Sequence, residues 1–523
     1  MAYKNGFPRK IPPVFRDRKN KQIRMKENGQ SQPDFCQSLR KEAGGKIPAS
    51  TRPIFHLTPW VGWMNDPNGF SYYQGQYHLF YQYNPYDTQW DAMHWGHAVS
   101  PDLLHWTYLP ASLAPDAPYD SFGCFSGSAM EMPDGKQLLL YTGVRKEGGD
   151  KGKEFQTQCV AVGDGMDYQK YAQNPVLDAK DLPEGLSPYD FRDPKIWRKP
   201  EGGYRCVVGA RRMDKRGVLL LFGSEDAFHW HFESILAEND GRFGLMWECP
   251  DFFPLEGKHV LFVSPQDMLP EGFEYHNGNG TVCQIGTFDE ETKRFIPEHN
   301  QAIDYGIDFY APQTILTPDG RRVMIGWMQN WDTCKNTGYE DRMWFGQMTL
   351  PRELSLRNGR LYQQPIRELA QYRGPKVEYK NVPVSDRVTL NGIDGRCLEM
   401  DIRVRPEDPE KPYHKFTMCF AQDGQYHSLL SFRPHESLLK IDRKFSGSRR
   451  AYIHQRRCLV AQRNGEIHLH VILDRFSIEV FINDGERVMT ATILTDPSAR
   501  GISFEADGKA VMDITKYSLF AEE

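Results

Sequence analysis

A turn glycine followed within a few residues by a short apolar run recurs five times along this chain. Gly75 precedes Tyr77-His78-Leu79-Phe80-Tyr81, Gly135 precedes Leu138-Leu139-Leu140-Tyr141, and Gly202 precedes the run from Tyr204 to Val208. Gly257 then precedes Val260-Leu261-Phe262-Val263, and Gly320 precedes Val323-Met324-Ile325. The glycines are 60, 67, 55 and 63 residues apart. A second echo, Ser-x-Asp-x-x-His-Trp, occurs at Ser100 to Trp106 and again at Ser224 to Trp230, two periods later. Each period has room for four short strands. Radial repetition of four-stranded sheets is the way such units bury both faces, so five units predict a five-bladed β-propeller. The 66 aromatic residues, 45 Gly and 35 Pro agree with many short strands joined by turns.

From about residue 375 the pattern changes to strict alternation. Leu398, Met400, Ile402 and Val404 interleave with charged residues, as do Ile467, Leu469, Val471 and Leu473 with other neighbours. Phe476, Ile478, Val480 and Ile482 repeat the alternation before the turn formers Asn483-Asp484-Gly485. The expected fold class is therefore all-β: a propeller followed by a C-terminal antiparallel β-sandwich. The expected domains are a basic extension over 1–50, the propeller over 51–371, a linker over 372–386 where Gly374-Pro375 and Val382-Pro383 break the strands, and the sandwich over 387–523.

The extension carries 12 Lys and Arg against 4 Asp and Glu, a net of +8, while the other residues together hold −13. It lacks the aromatic interleaving of a nucleic-acid module, so it reads as a solvated polar arm, and neither nucleic acid nor membrane is an expected partner. No apolar run reaches eighteen residues and the start has no signal-like apolar core, so the expected compartment is the cytoplasm. Ten cysteines without Cys-x-x-Cys spacing read as reduced core residues. His94-x-x-His97 has a metal-like spacing but no third ligand in sequence, and His468 and His470 read as strand-face residues. No metal and no cofactor is expected.

The chemistry is expected where the repeats place acids at one phase. Asp66, Asp193 and Glu248 each stand 11 residues before Tyr77, Tyr204 and His259, which open the post-glycine strands, and Ser126 stands 11 before Gln137. Asp308 lies 14 before Arg322. Equal phase predicts that the three carboxylates meet in one pocket. There, like charge and burial push at least one pKa upward, and a protonated acid beside an ionised one is the machinery of glycoside hydrolysis. Trp63, Trp90, Trp95, Phe125, Tyr310 and Trp327 offer flat faces for a sugar, and Asn65, Gln82, Ser126 and Arg192 can bind its hydroxyls. Taken alone, Asn65-Asp66-Pro67-Asn68-Gly69 reads as a turn.

At these residues the sequence resembles the invertase and fructanase family, glycoside hydrolase family 32. The resemblance rests on Trp63-Met64-Asn65-Asp66-Pro67-Asn68-Gly69, Phe191-Arg192-Asp193-Pro194 and Trp247-Glu248-Cys249-Pro250-Asp251. It extends through Phe125-Ser126-Gly127-Ser128-Ala129, Asp308-Phe309-Tyr310-Ala311, Met348-Thr349-Leu350-Pro351-Arg352-Glu353 and Ser477-Ile478-Glu479-Val480-Phe481, covering about residues 51–523. It implies a five-bladed propeller with a β-sandwich, and metal-free, retaining hydrolysis of a terminal β-fructofuranoside. Asp66 would be the nucleophile, Glu248 the acid and base, and Asp193 the transition-state stabiliser. Substrate contacts would fall on Asn65, Gln82, Trp90, Phe125, Ser126, Arg192, Tyr310 and Trp327, with Trp63 beside them. The expected partner is a small carbohydrate: sucrose or a short fructo-oligosaccharide, with sucrose 6-phosphate and exo-action on inulin or levan as alternatives. A homo-oligomer stays open, and a non-catalytic sugar-binding propeller is disfavoured because all three carboxyls are present.

Overall fold

The computed structural model describes residues 47–91, 93–148, 152–334, 342–448 and 453–520. The basic extension lies outside these residues, apart from 47–50, as does Cys36.

Residues 62–365 form five successive sheets, each with four antiparallel strands, the first gaining a short fifth strand. Their innermost strands are Gly62–Tyr73, Gly123–Glu131, Leu186–Arg198, Met246–Leu255 and Tyr310–Leu316. The five repeat glycines all occupy the hairpin between the innermost strand and the next, with φ between +78° and +105°. A side chain at Gly75 would meet nothing within 4 Å, so it is this left-handed backbone, and not crowding, that calls for glycine. The Ser-x-Asp-x-x-His-Trp echo is also structural. Asp102 and Asp226 each cap the same turn, accepting the ring Nδ1 of His105 at 2.6 Å and of His229 at 2.7 Å, with Leu103 and Ala227 both at positive φ.

The innermost strands touch in cyclic order, and the fifth returns to the first. Closure is reinforced by Trp344–Phe345, which leaves the fifth unit to pair in parallel with Gly62 and Trp63. Across each gap the neighbours are joined by side chain to backbone, not by a ladder: Ser128 Oγ donates to the Pro194 carbonyl at 2.7 Å, and Thr314 N donates to Asp251 at 2.5 Å.

The remaining residues form a six-stranded and a five-stranded sheet around one core that includes Met400, Ile402, Val471, Phe416, Leu430 and Phe504. The alternating stretches are strands as expected, at Leu398–Pro406, Ile467–Asp474 and Ser477–Ile482. The expected linker is not one. Arg373–Val384 is the edge strand of the six-stranded sheet, antiparallel to Ala510–Leu519. Pro375 and Pro383 are tolerated because an edge strand has one row of backbone groups without ladder partners, and the register slips between Arg373 and Lys376 and between Tyr379 and Val382 absorb the misfit.

A buried ionic network welds this half to the ring. His56 binds Asp474 through Nδ1 at 2.8 Å and Glu479 through Nε2 at 2.9 Å, and Arg352 spans Glu479 and Asp304 at 2.6 and 3.0 Å. Asp308, whose phase differs from that of the other acids, faces away from them and pairs with Arg443 and Thr492 of the sandwich. Burial alone lowers the His56 pKa, but the two carboxylates raise it to about 9. A base held more strongly in the folded state contributes stability below its unfolded pKa and loses it as pH rises through the folded one. Urea unfolding is therefore expected to weaken by on the order of 2–3 kcal/mol between pH 6.5 and 9. His56→Gln should be less stable at pH 6 and flat across that window; an unchanged slope would assign the effect elsewhere.

Candidate active site

Each innermost strand carries a β-bulge at the same level. The extra residues are Asn65 and Asp66, Ser126, Asp193 and Pro194, Cys249 and Pro250, and Ala311 and Pro312. Asp193, Cys249 and Ala311 have φ of +64°, +48° and +49°, strained values for residues with a Cβ. The following prolines fit because a bulge needs no ladder N–H there. The turn formers Asn65 to Gly69 thus lie inside a bulged strand, and not in a turn.

Side-chain contacts define two tiers. Asp66, Ser126, Asp193 and Cys249 occupy one; Arg192, Glu248 and Tyr310 occupy the other. In the first tier, Asp66 Oδ2 accepts the Ser126 hydroxyl at 3.0 Å, and the Cys249 thiol lies 3.6 Å from Asp66 Oδ2 and 3.7 Å from Asp193 Oδ2. Asp193 Oδ2 also accepts the Cys249 backbone N–H at 3.0 Å. In the second tier, Glu248 Oε1 receives Nε and Nη2 of Arg192 at 3.1 and 2.8 Å, while Oε2 lies 2.7 Å from the Tyr310 hydroxyl. The three carboxylates do converge, but equal spacing is not equal register. Glu248 sits at the level of Arg192 and Tyr310, one residue before the level of Asp66 and Asp193.

Electrostatics follow from this packing. Asp66 is buried, and burial first, then the Glu248 charge, raise its pKa to about 6 against the hydrogen bonds from its neighbours. Burial also raises Asp193, with Arg192 opposing and the other two carboxylates reinforcing the shift. Asp66 Oδ1 is buried with no hydrogen-bond partner among the described residues. One oxygen of this carboxyl is held and the other is bare.

The aromatic residues divide by depth. Trp90 and Phe125 are half-buried and meet edge to face, with centroids 5.8 Å apart. Trp63, Tyr310 and Trp327 are buried in the same cluster, which gains Trp331 after the fifth unit's second strand and Phe345 of the strand Trp344–Phe345. Trp95 is elsewhere: it is fully buried between the first two sheets, and its Nε1 donates to the Phe125 carbonyl at 3.0 Å. Asn65 accepts Trp63 Nε1 at 2.8 Å, and Gln82 spends its amide on the Cys124 carbonyl at 3.0 Å. His97 Nε2 lies 3.0 Å from His78 Nδ1, while His468 and His470 bind Asp401 and Glu399 across a strand. Sequence reasoning gave no task to Cys249, Thr142, Gln156, Gln158, Trp331 or Phe345. The signal available for the bulges was the recurring X-Pro at 67, 194, 250 and 312.

A cluster of three carboxylates, braced by a buried arginine and walled by aromatic rings at the centre of a ring of β-sheets, has the groups that glycoside hydrolysis needs. Residues 56–365 match the model of the glycosyl hydrolases family 32 N-terminal domain, and 368–520 match that of the family's C-terminal domain. The chain belongs to glycoside hydrolase family 32. It is 36% identical over 497 residues to a raffinose invertase of Escherichia coli, covering 91% of this chain and 97% of that protein. It is also 36% identical over 470 residues to a sucrose-6-phosphate hydrolase of Escherichia coli, covering 88% and 93%. Among solved structures, a mutant of the Bombyx mori GH32 beta-fructofuranosidase BmSUC1 in complex with sucrose is 33% identical, with a TM-score of 0.80 over 93% of this chain and 98% of that one.

A carboxyl whose pKa is raised on folding costs stability once pH exceeds its unfolded value. Asp66→Asn should therefore be more stable than the wild type by about 1–3 kcal/mol at pH 7.5, with the gain vanishing near pH 4. Equal stability at pH 7.5 would show that the site tolerates the charge without cost.

Proposed function

We propose that the chain is a retaining β-fructofuranosidase that hydrolyses the terminal β-D-fructofuranoside of sucrose or a short fructo-oligosaccharide. The observation that carries this reading is the asymmetric Asp66 carboxyl, with Oδ2 held by Ser126 and Oδ1 bare and buried. The Asp66 carboxylate attacks the anomeric carbon of fructose, and Glu248 gives a proton to the departing glycosidic oxygen. The fructosyl ester on Asp66 is then cleaved by water that loses its proton to Glu248, which restores the starting configuration. Asp193 binds fructose hydroxyls more strongly as charge develops on the ring. Arg192 and Tyr310 hold the Glu248 carboxyl in place, and the exposed faces of Trp90 and Phe125 suit the apolar faces of the sugar.

The ring of five sheets is read as a five-bladed propeller over residues 51–371, and the two C-terminal sheets as a sandwich that takes in the strand from Arg373. Eight described cysteines are free thiols, seven of them buried, which supports a reducing compartment such as the cytoplasm.

Phosphorylated sucrose is the second reading. Lys146 Nζ stands 3.8 Å from the centroid of Phe122, which in turn packs against Trp90 and Phe125, and offers a cation at the edge of the aromatic group. The two readings separate on kcat/KM for sucrose, sucrose 6-phosphate, kestose and inulin. If phosphate is read there, Lys146→Ala lowers kcat/KM on the phosphorylated substrate alone.

Asp66→Ala should lower kcat about 10⁴-fold or more with the fold intact; residual activity near the wild-type level would overturn its assignment. Because Asp66 must be ionised to attack, kcat/KM should fall tenfold per unit below about pH 6. Glu248→Ala should cost about 10²- to 10⁴-fold on sucrose and much less on a fructoside with a good leaving group. Equal losses on both would remove the acid role, and α-fructofuranose as the first product in a proton NMR time course would sink retention.

A further inference from the structure

We infer that Thr142 is a positioning residue for the reaction, because its single hydroxyl ties the backbone carrying Ser126 to the backbone carrying Asp193. This inference rests on the fructosidase reading above. Thr142 is fully buried on the second sheet's strand Gln137–Glu147, directly opposite Phe125, where the bulge leaves Ser126 unpaired. The bulge turns the Ser126 carbonyl out of the ladder, and the Thr142 hydroxyl lies 3.1 Å from it. The same oxygen accepts the Asp193 N–H at 2.9 Å from the neighbouring sheet. Its one proton is shared between the Ser126 carbonyl and Gln158 Oε1, also 3.1 Å away, and the Gln158 amide donates to the Phe191 carbonyl at 2.8 Å.

These contacts form one continuous path between two of the three carboxylates. Asp66 accepts the Ser126 hydroxyl, the Ser126 backbone meets Thr142, and Thr142 holds Asp193 at its strained φ of +64°. No ladder bond holds this part of the Asp193 strand, since Asp193 and Pro194 are the bulged residues. A side-chain acceptor from the next sheet is what fixes the peptide, and with it the direction of the Asp193 carboxyl. Thr142 touches neither a carboxylate nor, on this geometry, the substrate, so its effect is on where the reacting groups stand. A shift of about 1 Å in such a group costs about 100-fold in rate.

Thr142→Val keeps the shape and the β-branch and removes only the hydroxyl. It should lower kcat on sucrose about 10- to 100-fold while KM changes less than about threefold, because the error is one of alignment and not of affinity. Thr142→Ser, which restores the hydroxyl, should recover kcat to within about threefold. Thr417→Val removes a buried sandwich hydroxyl that has no hydrogen-bond partner among the described residues and should leave kcat unchanged. The inference is overturned if Thr142→Val keeps wild-type kcat, if its loss lies in KM, or if serine fails to restore the rate. If valine prevents folding, Thr142→Ala carries the same expectation, and a fully active alanine variant overturns the inference. A wild-type protein that releases no fructose from any of the four substrates would instead bring down the fructosidase reading, and this inference with it.

Discussion

Five sheets set around an axis leave the inner edge of each innermost strand without a ladder partner, apart from Gly62 and Trp63, which pair with Trp344 and Phe345. Buried N–H and C=O groups cannot be left unpaired there without a cost of about 1–3 kcal/mol each. Neighbouring sheets meet that demand with side chains. Gln156 and Gln158 take the N–H and C=O of Phe191, Thr142 takes the Asp193 N–H, and Ser128 takes both the Pro194 carbonyl and the Ile196 N–H. Ser264 and Asp251 do the same for Ala311 and Thr314, and Gln313 reaches the Gly127 carbonyl. The polar residues near the axis are thus a consequence of the ring, and the ring can close only because they are there.

The bulges arise from the same geometry and turn it to chemistry. Without them, side chains would alternate strictly between strand faces, and consecutive residues could not both serve the axis. With them, Arg192 and Asp193 both reach the carboxylate cluster, as do Glu248 and Cys249. The result concentrates three buried carboxylates, of which Asp193 and Glu248 lie against the Arg192 guanidinium and Asp66 does not, an arrangement that is poor for stability. Asp66 bears that strain most visibly: its pKa is raised by burial and by Glu248, and one of its oxygens is bare. The scaffold tolerates it because the surrounding backbone is over-determined by side-chain bonds from the adjacent sheet.

The sandwich contributes rigidity from outside the ring. His56, Asp474, Glu479, Arg352 and Asp304 make a continuous buried chain of charges, every member of which has an opposite charge beside it. Removing one partner would leave a buried charge uncompensated, which is what makes the docking specific. Asp308 and Arg443 add a second weld close to Tyr310, so the C-terminal half helps to fix the strand whose Tyr310 hydroxyl meets Glu248 of the fourth unit.

Much of this was legible in the residues themselves. Five glycines needing left-handed backbone marked the five hairpins, because no other residue adopts that conformation without cost. Period-two alternation marked the sandwich strands, because one face of each is buried. The acids and aromatic residues of the site were also visible by type and recurrence. The edge strand at Arg373 was hidden because prolines break a strand in sequence terms, yet sit comfortably on a sheet edge. The tiers of the site were hidden for a deeper reason. Counting residues along the chain gives Asp66, Asp193 and Glu248 one phase, but a bulge adds a residue to one strand without adding one to its partner. Register is a property of paired strands, so only the tertiary structure could place Glu248 beside Arg192 and Tyr310, and Asp66 beside Ser126, Cys249 and Asp193. The sequence determined which groups the protein owns and how many sheets carry them; the pairing of those sheets decided which groups touch.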